Sequence, residues 1–116
     1  MKVSVITITY NCSAVVVDCL ASVPVQSYRN IEHIVVDGAS TDGTLDVLQA
    51  HRSQLALLVS EEDAGIYDAL NKGIANASGD VVGFLHADDV YASCDVLRKV
   101  VEIFEADSSV SAVYGD

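Results

Sequence analysis

The chain has 116 residues, enough for one domain with one hydrophobic core. Hydrophobic residues make up 51% and charged residues 20%, a well-filled globular composition that excludes a disordered chain. Seventeen acids against six bases give a formal net charge of −11, a field that repels nucleic acid and phosphate-rich membrane surfaces. An anionic small substrate would need local help from a metal ion, helix N-termini or a few placed cations.

Met1-Lys2 leads at once into a strand-like run, with no signal peptide and no apolar stretch of transmembrane length. Cys12, Cys19 and Cys94 are odd in number and lack zinc-like pairing, which argues against a disulfide framework or a structural metal. Cys12 and Cys19 are expected as small core residues, and the cytoplasm as the compartment.

Val3 to Thr9, rich in β-branched residues, predicts a buried strand. Asn11 or Ser13 is expected to cap a helix whose inner face is Val16, Cys19, Leu20 and Val23, ending near Pro24. Three consecutive valines give that helix poor propensity, so packing must hold it. Ile31 to Val36 predicts a second strand. Asp37 to Gly43 is a loop in which Thr41 or Asp42 can cap a helix from Thr44 to His51.

Leu55 to Val59 predicts a third strand, and Ser60 to Ala64 an acidic connection. Ile66, Ala69, Leu70, Gly73 and Ile74 mark the inner face of the next helix, which ends at Ser78-Gly79-Asp80. Val81 to Leu85 predicts a fourth strand, with His86 to Asp89 as the loop after it. Ser93 is placed to cap a helix packed through Leu97, Val100, Val101 and Phe104, and Val110 to Tyr114 predicts a fifth strand.

Apolar strands separated by helices imply an α/β three-layer sandwich with a mainly parallel central sheet and right-handed crossovers. Ligands of such sheets bind at the C-terminal strand ends, beside a switch in strand order. Three polar clusters follow apolar strands here: Thr9-Tyr10-Asn11, Asp37 to Asp42, and His86 to Asp89.

Asp88 and Asp89 offer hard oxygen ligands suited to magnesium or manganese, although alone they read equally as solvated loop acids. Asp37 at a strand end can accept hydrogen bonds from a base or ribose, with Ser40 and Thr41 as ligands or as turn and cap residues. The run from Asp63 to Gly73 opens a helix whose free amides suit a phosphate; Lys72 lies in the same region, and Asp68 suits the helix dipole. The glycine-rich signatures of Walker and Rossmann phosphate loops are absent.

Four segments in order carry a more specific signal: Val3–Asn11 (VSVITITYN), Ile34–Thr44 (IVVDGASTDGT), Asp63–Ile74 (DAGIYDALNKGI) and Gly83–Asp89 (GFLHADD). Together they resemble family 2 glycosyltransferases over nearly the whole chain. The resemblance implies a Rossmann-like GT-A nucleotide-binding half and transfer, with inversion, of a sugar from a nucleotide-diphosphate donor, a UDP-sugar in the first instance. It implies a saccharide or lipid-linked acceptor in cell-surface polysaccharide synthesis, by a full-length protein in the cytoplasm or at the inner membrane face.

By position, the nucleoside would be held by Thr9, Tyr10 or Asn11, and Asp37. The family's DxD motif, which binds a divalent ion and the donor diphosphate, falls mainly on Asp88, with Asp89 close by. Ser40, Asp68, Lys72 and His86 complete the candidate donor site.

Three positions depart from the family pattern. His86 stands where many members have the first Asp of Asp-x-Asp-Asp, lowering the local negative charge. Leu70 replaces a common arginine, leaving Lys72 or the metal to supply positive charge. Ile8 replaces a proline. The family's catalytic base lies downstream of the fifth strand, so the base is expected beyond residue 116, with Asp116 itself poorly placed at a terminus. The chain thus reads as one nucleotide-sugar-binding domain, 1–116, truncated at its C-terminus, with an exposed apolar patch that favours a homodimer.

Two alternatives are a nucleotide-binding module without catalysis and a receiver-type signalling domain. The latter needs an acidic pair after its first strand and a lysine after its fifth; the first strand here ends in Thr9-Tyr10-Asn11, and no lysine follows Lys99.

Overall fold

A computed structural model describes residues 1–107, 109 and 110. The chain alternates strand and helix: β1 (Val3–Thr9), α1 (Val16–Ser22), β2 (Ile31–Asp37), α2 (Thr44–Ala50), β3 (Leu57–Ser60), α3 (Ile66–Asn76), β4 (Val81–Phe84) and α4 (Val96–Ala106). A single 3-10 turn, Arg52–Gln54, follows α2. The expected fifth strand, Val110 to Tyr114, lies outside the described residues from 111 onward.

The four strands form one all-parallel sheet in the order β3-β2-β1-β4. This is the order of a Rossmann half-sheet; a receiver domain would follow 2-1-3-4-5, so that alternative is overturned. The chain runs outward from β1 through β2 to β3, then crosses back to place β4 on the free side of β1. The switch in direction therefore lies between β1 and β4.

Strand alternation sends residues to two separate cores. On one face Val3 and Val5 pack with Cys19 and Val23 of the α1 region and with Leu97 and Val101 of α4. Val35 on the same face packs with Val16, Leu20 and Leu48 of α1 and α2. On the other face Ile6, Ile34 and Val36 meet Ala69 of α3. Helices thus cover both faces, giving the three expected layers.

The close seating of α3 depends on Gly73, since a β-carbon there would lie 2.6 Å from Cγ2 of Ile6.

Several boundaries and faces differ from expectation. Neither Asn11 nor Ser13 caps α1, whose cap position is Val15, because both are bonded to the loop after β2. β3 begins at Leu57, with Leu55 buried in the core just before it. Ser93 does not cap α4. Gln26 does so from a distant segment: Oε1 accepts the Leu97 amide at 3.1 Å, and Nε2 donates to the Ser93 carbonyl at 2.7 Å.

On α3 only Ala69 and Gly73 are buried; Ile66 and Ile74 are exposed. β4 is likewise not covered on both faces: Val82 and Phe84 point to the α3 side and are exposed, Phe84 by 50%. The reason is that α3 packs on β1 and β2 and, among the described residues, no helix covers that side of β4. A groove of about 190 Å³ runs there between Ile6, Ile8, Ile66, Leu70, Phe84 and His86. Cys19 is buried and Cys12 half-buried, as expected, and Cys94 is exposed.

Candidate functional site at the sheet ends

The C-terminal ends of β1, β2 and β3 are level with one another. Thr9 pairs with Asp37, and Asp37 with Ser60. The Asp37 carboxylate sits at the middle of this row with no solvent exposure. Its Oδ1 accepts the Thr9 hydroxyl at 2.7 Å and the Ser40 hydroxyl at 2.6 Å, while Oδ2 accepts the Ser40 amide and the Ser60 hydroxyl, each at 2.9 Å. Burial works to raise the Asp37 pKa, but these donors together outweigh it and hold the carboxyl below its ordinary value. Ser60 was not singled out in the sequence; its signal was a lone hydroxyl closing an apolar strand.

The loops after β1 and β2 are laced together. The Asn11 amide donates to the Ser40 hydroxyl and its side-chain oxygen accepts the Thr41 amide. The Cys12 amide donates to the Thr44 hydroxyl, and Ser13 donates twice to Asp42. The Thr44 hydroxyl first, then the Thr44 amide and Ser13, bring the Asp42 carboxyl down to about 2. Asn11 and Ala39 both adopt positive φ, at 46° and 61°. Within this frame Tyr10 projects outward, 64% exposed.

On the far side of the switch, β4 pairing ends at Phe84 opposite Ile6, and among the described residues Thr7 to Thr9 have no strand neighbour on that side. The loop that follows carries His86, Asp88 and Asp89, all exposed. Its backbone is turned by the Asp89 amide on the His86 carbonyl at 3.0 Å. Among the described residues no donor occupies either aspartate side chain, so both remain free to bind a ligand.

The start of α3 carries two acids, with Asp68 in its first turn. Asp68 accepts the Ala64 amide at 2.9 Å, and Asp63 accepts the Gly65 amide at 3.2 Å. These two carboxylates take the amides just before the helix, while among the described residues the amides of Ile66, Tyr67 and Asp68 in its first turn have no protein acceptor. Lys72 lies 3.1 Å from Glu61 and 3.5 Å from Asp68, and donates to the Glu62 carbonyl. Glu61 first, against the opposing effect of desolvation, raises the Lys72 pKa; the Ala64 amide first lowers that of Asp68.

The geometry thus joins Thr9, Tyr10, Asn11, Asp37 and Ser40 in one laced unit, places His86, Asp88 and Asp89 across the switch, and pairs Asp68 with Lys72, which Glu61 links to the end of β2. Among the described residues no three His, Cys, Asp or Glu side chains cluster as a ready metal cage. No helix there is long and apolar enough to cross a membrane.

Comparison with known proteins bears on the family and the fold. The family model described as Glycosyl transferase family 2 matches residues 4–115. An uncharacterised glycosyltransferase of Mycobacterium tuberculosis is 43% identical over 97% of this chain and 44% of its own length. A PGL/p-HBAD biosynthesis glycosyltransferase of Mycobacterium bovis is 36% identical over 97% of this chain and 45% of its own. The chain therefore spans under half the length of these relatives.

Among solved structures, a mannosyltransferase of Pyrobaculum calidifontis in complex with GDP-Man and manganese superposes with a TM-score of 0.86 at 35% identity, covering 94% of this chain and 33% of that one. Staphylococcus aureus TarS in complex with UDP-GlcNAc superposes with a TM-score of 0.83 at 29% identity, covering 91% and 32%. The parallel sheet, its strand order and the match from residue 4 to residue 115 lead to one conclusion: this chain has the GT-A fold and belongs to glycosyl transferase family 2.

Proposed function

We propose that the chain is the donor-binding half of an inverting glycosyltransferase that takes a sugar from a nucleoside-diphosphate donor, a UDP-sugar in the first instance. The acceptor on this reading is a saccharide or lipid-linked molecule of a cell-surface polysaccharide. The observation that carries the proposal is the exposed Asp88-Asp89 pair, free of protein donors among the described residues, in the loop after β4 beside the β1/β4 switch. The nucleotide sugars held by the two structural relatives support the donor class.

Asp88, with Asp89 beside it, would hold a divalent cation, manganese or magnesium. The fit rests on donor chemistry: hard carboxylate oxygens, exposed and not occupied by protein donors. One or two carboxylates suffice where the diphosphate and water fill the remaining positions, as magnesium commonly accepts. When bound, the cation neutralises the diphosphate and stabilises it as a leaving group. Lys72 is committed to Glu61 and Asp68, so neutralisation of the diphosphate would fall chiefly to a cation held by Asp88 and Asp89.

Tyr10 offers a ring for the nucleobase, the laced loop of Asn11 and Ser40 holds that ring in position, and His86 can hydrogen-bond ribose or diphosphate. In the transfer itself the acceptor oxygen bonds to the anomeric carbon from the face opposite the diphosphate. The carbon–oxygen bond to the diphosphate breaks, and the hydroxyl proton passes to a general base. That base lies outside the described residues.

Calorimetry with UDP-GlcNAc and GDP-mannose, with manganese and then with a chelator, tests the proposal. It requires binding of one of them that weakens at least tenfold on chelation. Binding of neither, or binding indifferent to chelation, overturns it. Binding without turnover of any acceptor by the full-length protein leaves a nucleotide-binding module instead.

A further inference from the structure

Asp37 has no room for a ligand hydrogen bond, because four protein donors occupy its two oxygens and no part of the residue is exposed. Another carboxylate stands beside it. The loop after β3 continues the sheet for one more bond, Glu61 amide to Asp37 carbonyl at 3.0 Å, and two residues later Asp63 passes over Gly38.

A β-carbon added to Gly38 would lie 3.0 Å from Oδ2 of Asp63 and 3.4 Å from Cδ1 of Tyr10. The acid and the ring therefore lean over the same bare stretch of backbone. The Gly65 amide holds Oδ1 of Asp63, and among the described residues Oδ2 has no donor.

We propose that Asp63 is the residue that reads the nucleobase of the donor, its Oδ2 accepting the ring N–H of a base that lies against Tyr10 above Gly38. This rests on the donor-binding reading given above and names its specificity element. A carboxylate accepts and cannot donate. It therefore selects bases with an N–H on their Watson–Crick edge, which are uracil at N3 and guanine at N1. It rejects cytosine and adenine, which present a lone pair at the corresponding atom. Tyr10 contributes a stacking surface that every base shares, so affinity comes from the ring and choice from the acid. Gly38 keeps the floor low enough for both.

The test is calorimetric titration of the protein with UDP, GDP, CDP and ADP in manganese buffer, comparing wild type with Asp63→Asn, Gly38→Ala and Tyr10→Leu. Wild type binds UDP or GDP at least tenfold more tightly than CDP and ADP. Asp63→Asn, which can donate as well as accept, reduces that preference by about tenfold or more, the worth of a hydrogen bond to a charged group. Gly38→Ala lowers affinity for the preferred nucleotide without any change of charge, and Tyr10→Leu weakens all four nucleotides alike.

Far-ultraviolet spectra and melting curves matching wild type establish that Asp63→Asn is folded; the swap is isosteric, and a retained residual affinity for CDP serves as a second check. If wild type binds UDP or GDP but Asp63→Asn keeps the full preference, the assignment of Asp63 is wrong while the donor-binding reading stands. An equal affinity of wild type for all four nucleotides also overturns it. If wild type binds none of them, both readings fall together.

Discussion

The Thr9 hydroxyl donates to Oδ1 of Asp37 at 2.7 Å, across the last paired residues of the two central strands. This bond, with three more from Ser40 and Ser60, turns the most conspicuous acid of the second loop into a fastener between three strand ends. Asp37→Asn leaves the shape and removes acceptor capacity, so it should lower unfolding free energy by about 2 kcal/mol or more. The folded Asp37 pKa is depressed, so its contribution is complete above the unfolded value of about 3.9 and is lost as pH falls through the folded one. Urea unfolding between pH 5 and pH 2 should show this acid-dependent loss in wild type and a smaller one in Asp37→Asn. Equal midpoints for the two proteins at pH 7 would contradict the fastener role.

A second titration belongs to a different pH window. His33 is buried, bonded to the Thr7 hydroxyl at 2.8 Å, and burial brings its pKa down to about 4. Between the unfolded value of about 6.5 and this one, the unfolded chain binds more protons, so stability falls as pH falls. The shift corresponds to about 3 kcal/mol lost from this group between pH 7 and pH 4. In His33→Gln the same urea series should be flatter over that interval, and unchanged slopes would refute the assignment.

Asp88 is exposed and, among the described residues, free of hydrogen bonds. Asp88→Ala should therefore leave the fold within about 0.5 kcal/mol of wild type. The same substitution should reduce manganese-dependent binding of UDP-GlcNAc or GDP-mannose by at least tenfold. Calorimetry beside a melting curve separates the two effects, and full retention of metal-dependent binding would remove Asp88 from the site.

Ala39 carries a positive φ of 61°, a conformation that costs an L-residue roughly 1–2 kcal/mol. Glycine relieves that cost but loses some unfolded-state advantage. Ala39→Gly should then stabilise the protein by up to about 1 kcal/mol in urea unfolding. A loss of stability would mean that the Ala39 methyl group packs favourably enough to outweigh its strain.

The fold was legible because its signals are periodic. The apolar runs at Val3, Ile31 and Val81 announce strands, and Cys19, Leu20, Leu97 and Val101 recur at helical spacing. Caps were less legible. Asn11 and Ser13 have the right chemistry to begin a helix, but that chemistry is spent on Thr41 and Asp42, neighbours only in three dimensions. The outer faces of α3 and β4 misled for another reason, since Ile66, Ile74, Val82 and Phe84 obey the core pattern without a partner layer in the described residues. At the candidate site, strand-end placement pointed to Thr9, Asp37 and Asp88. It could not distinguish a carboxylate that faces a ligand from one enclosed by Ser40 and Ser60, because that depends on the register of β2 against β3.

The clasp of Gln26 on α4 bears on how this architecture tolerates change. Leu97 takes its helix-starting partner from the segment after α1, and Ser93, Cys94 and Asp95 just before the helix are bonded to the same segment through Gln26 and Ser27. The stretch from His86 to Ser93 is thereby held at one end by the sheet and at the other by a remote glutamine. On the proposed donor-binding reading, substitutions at His86 or Asp88 would retune metal and donor chemistry while the frame around them keeps its register, which makes this segment a natural place to exchange specificities by design.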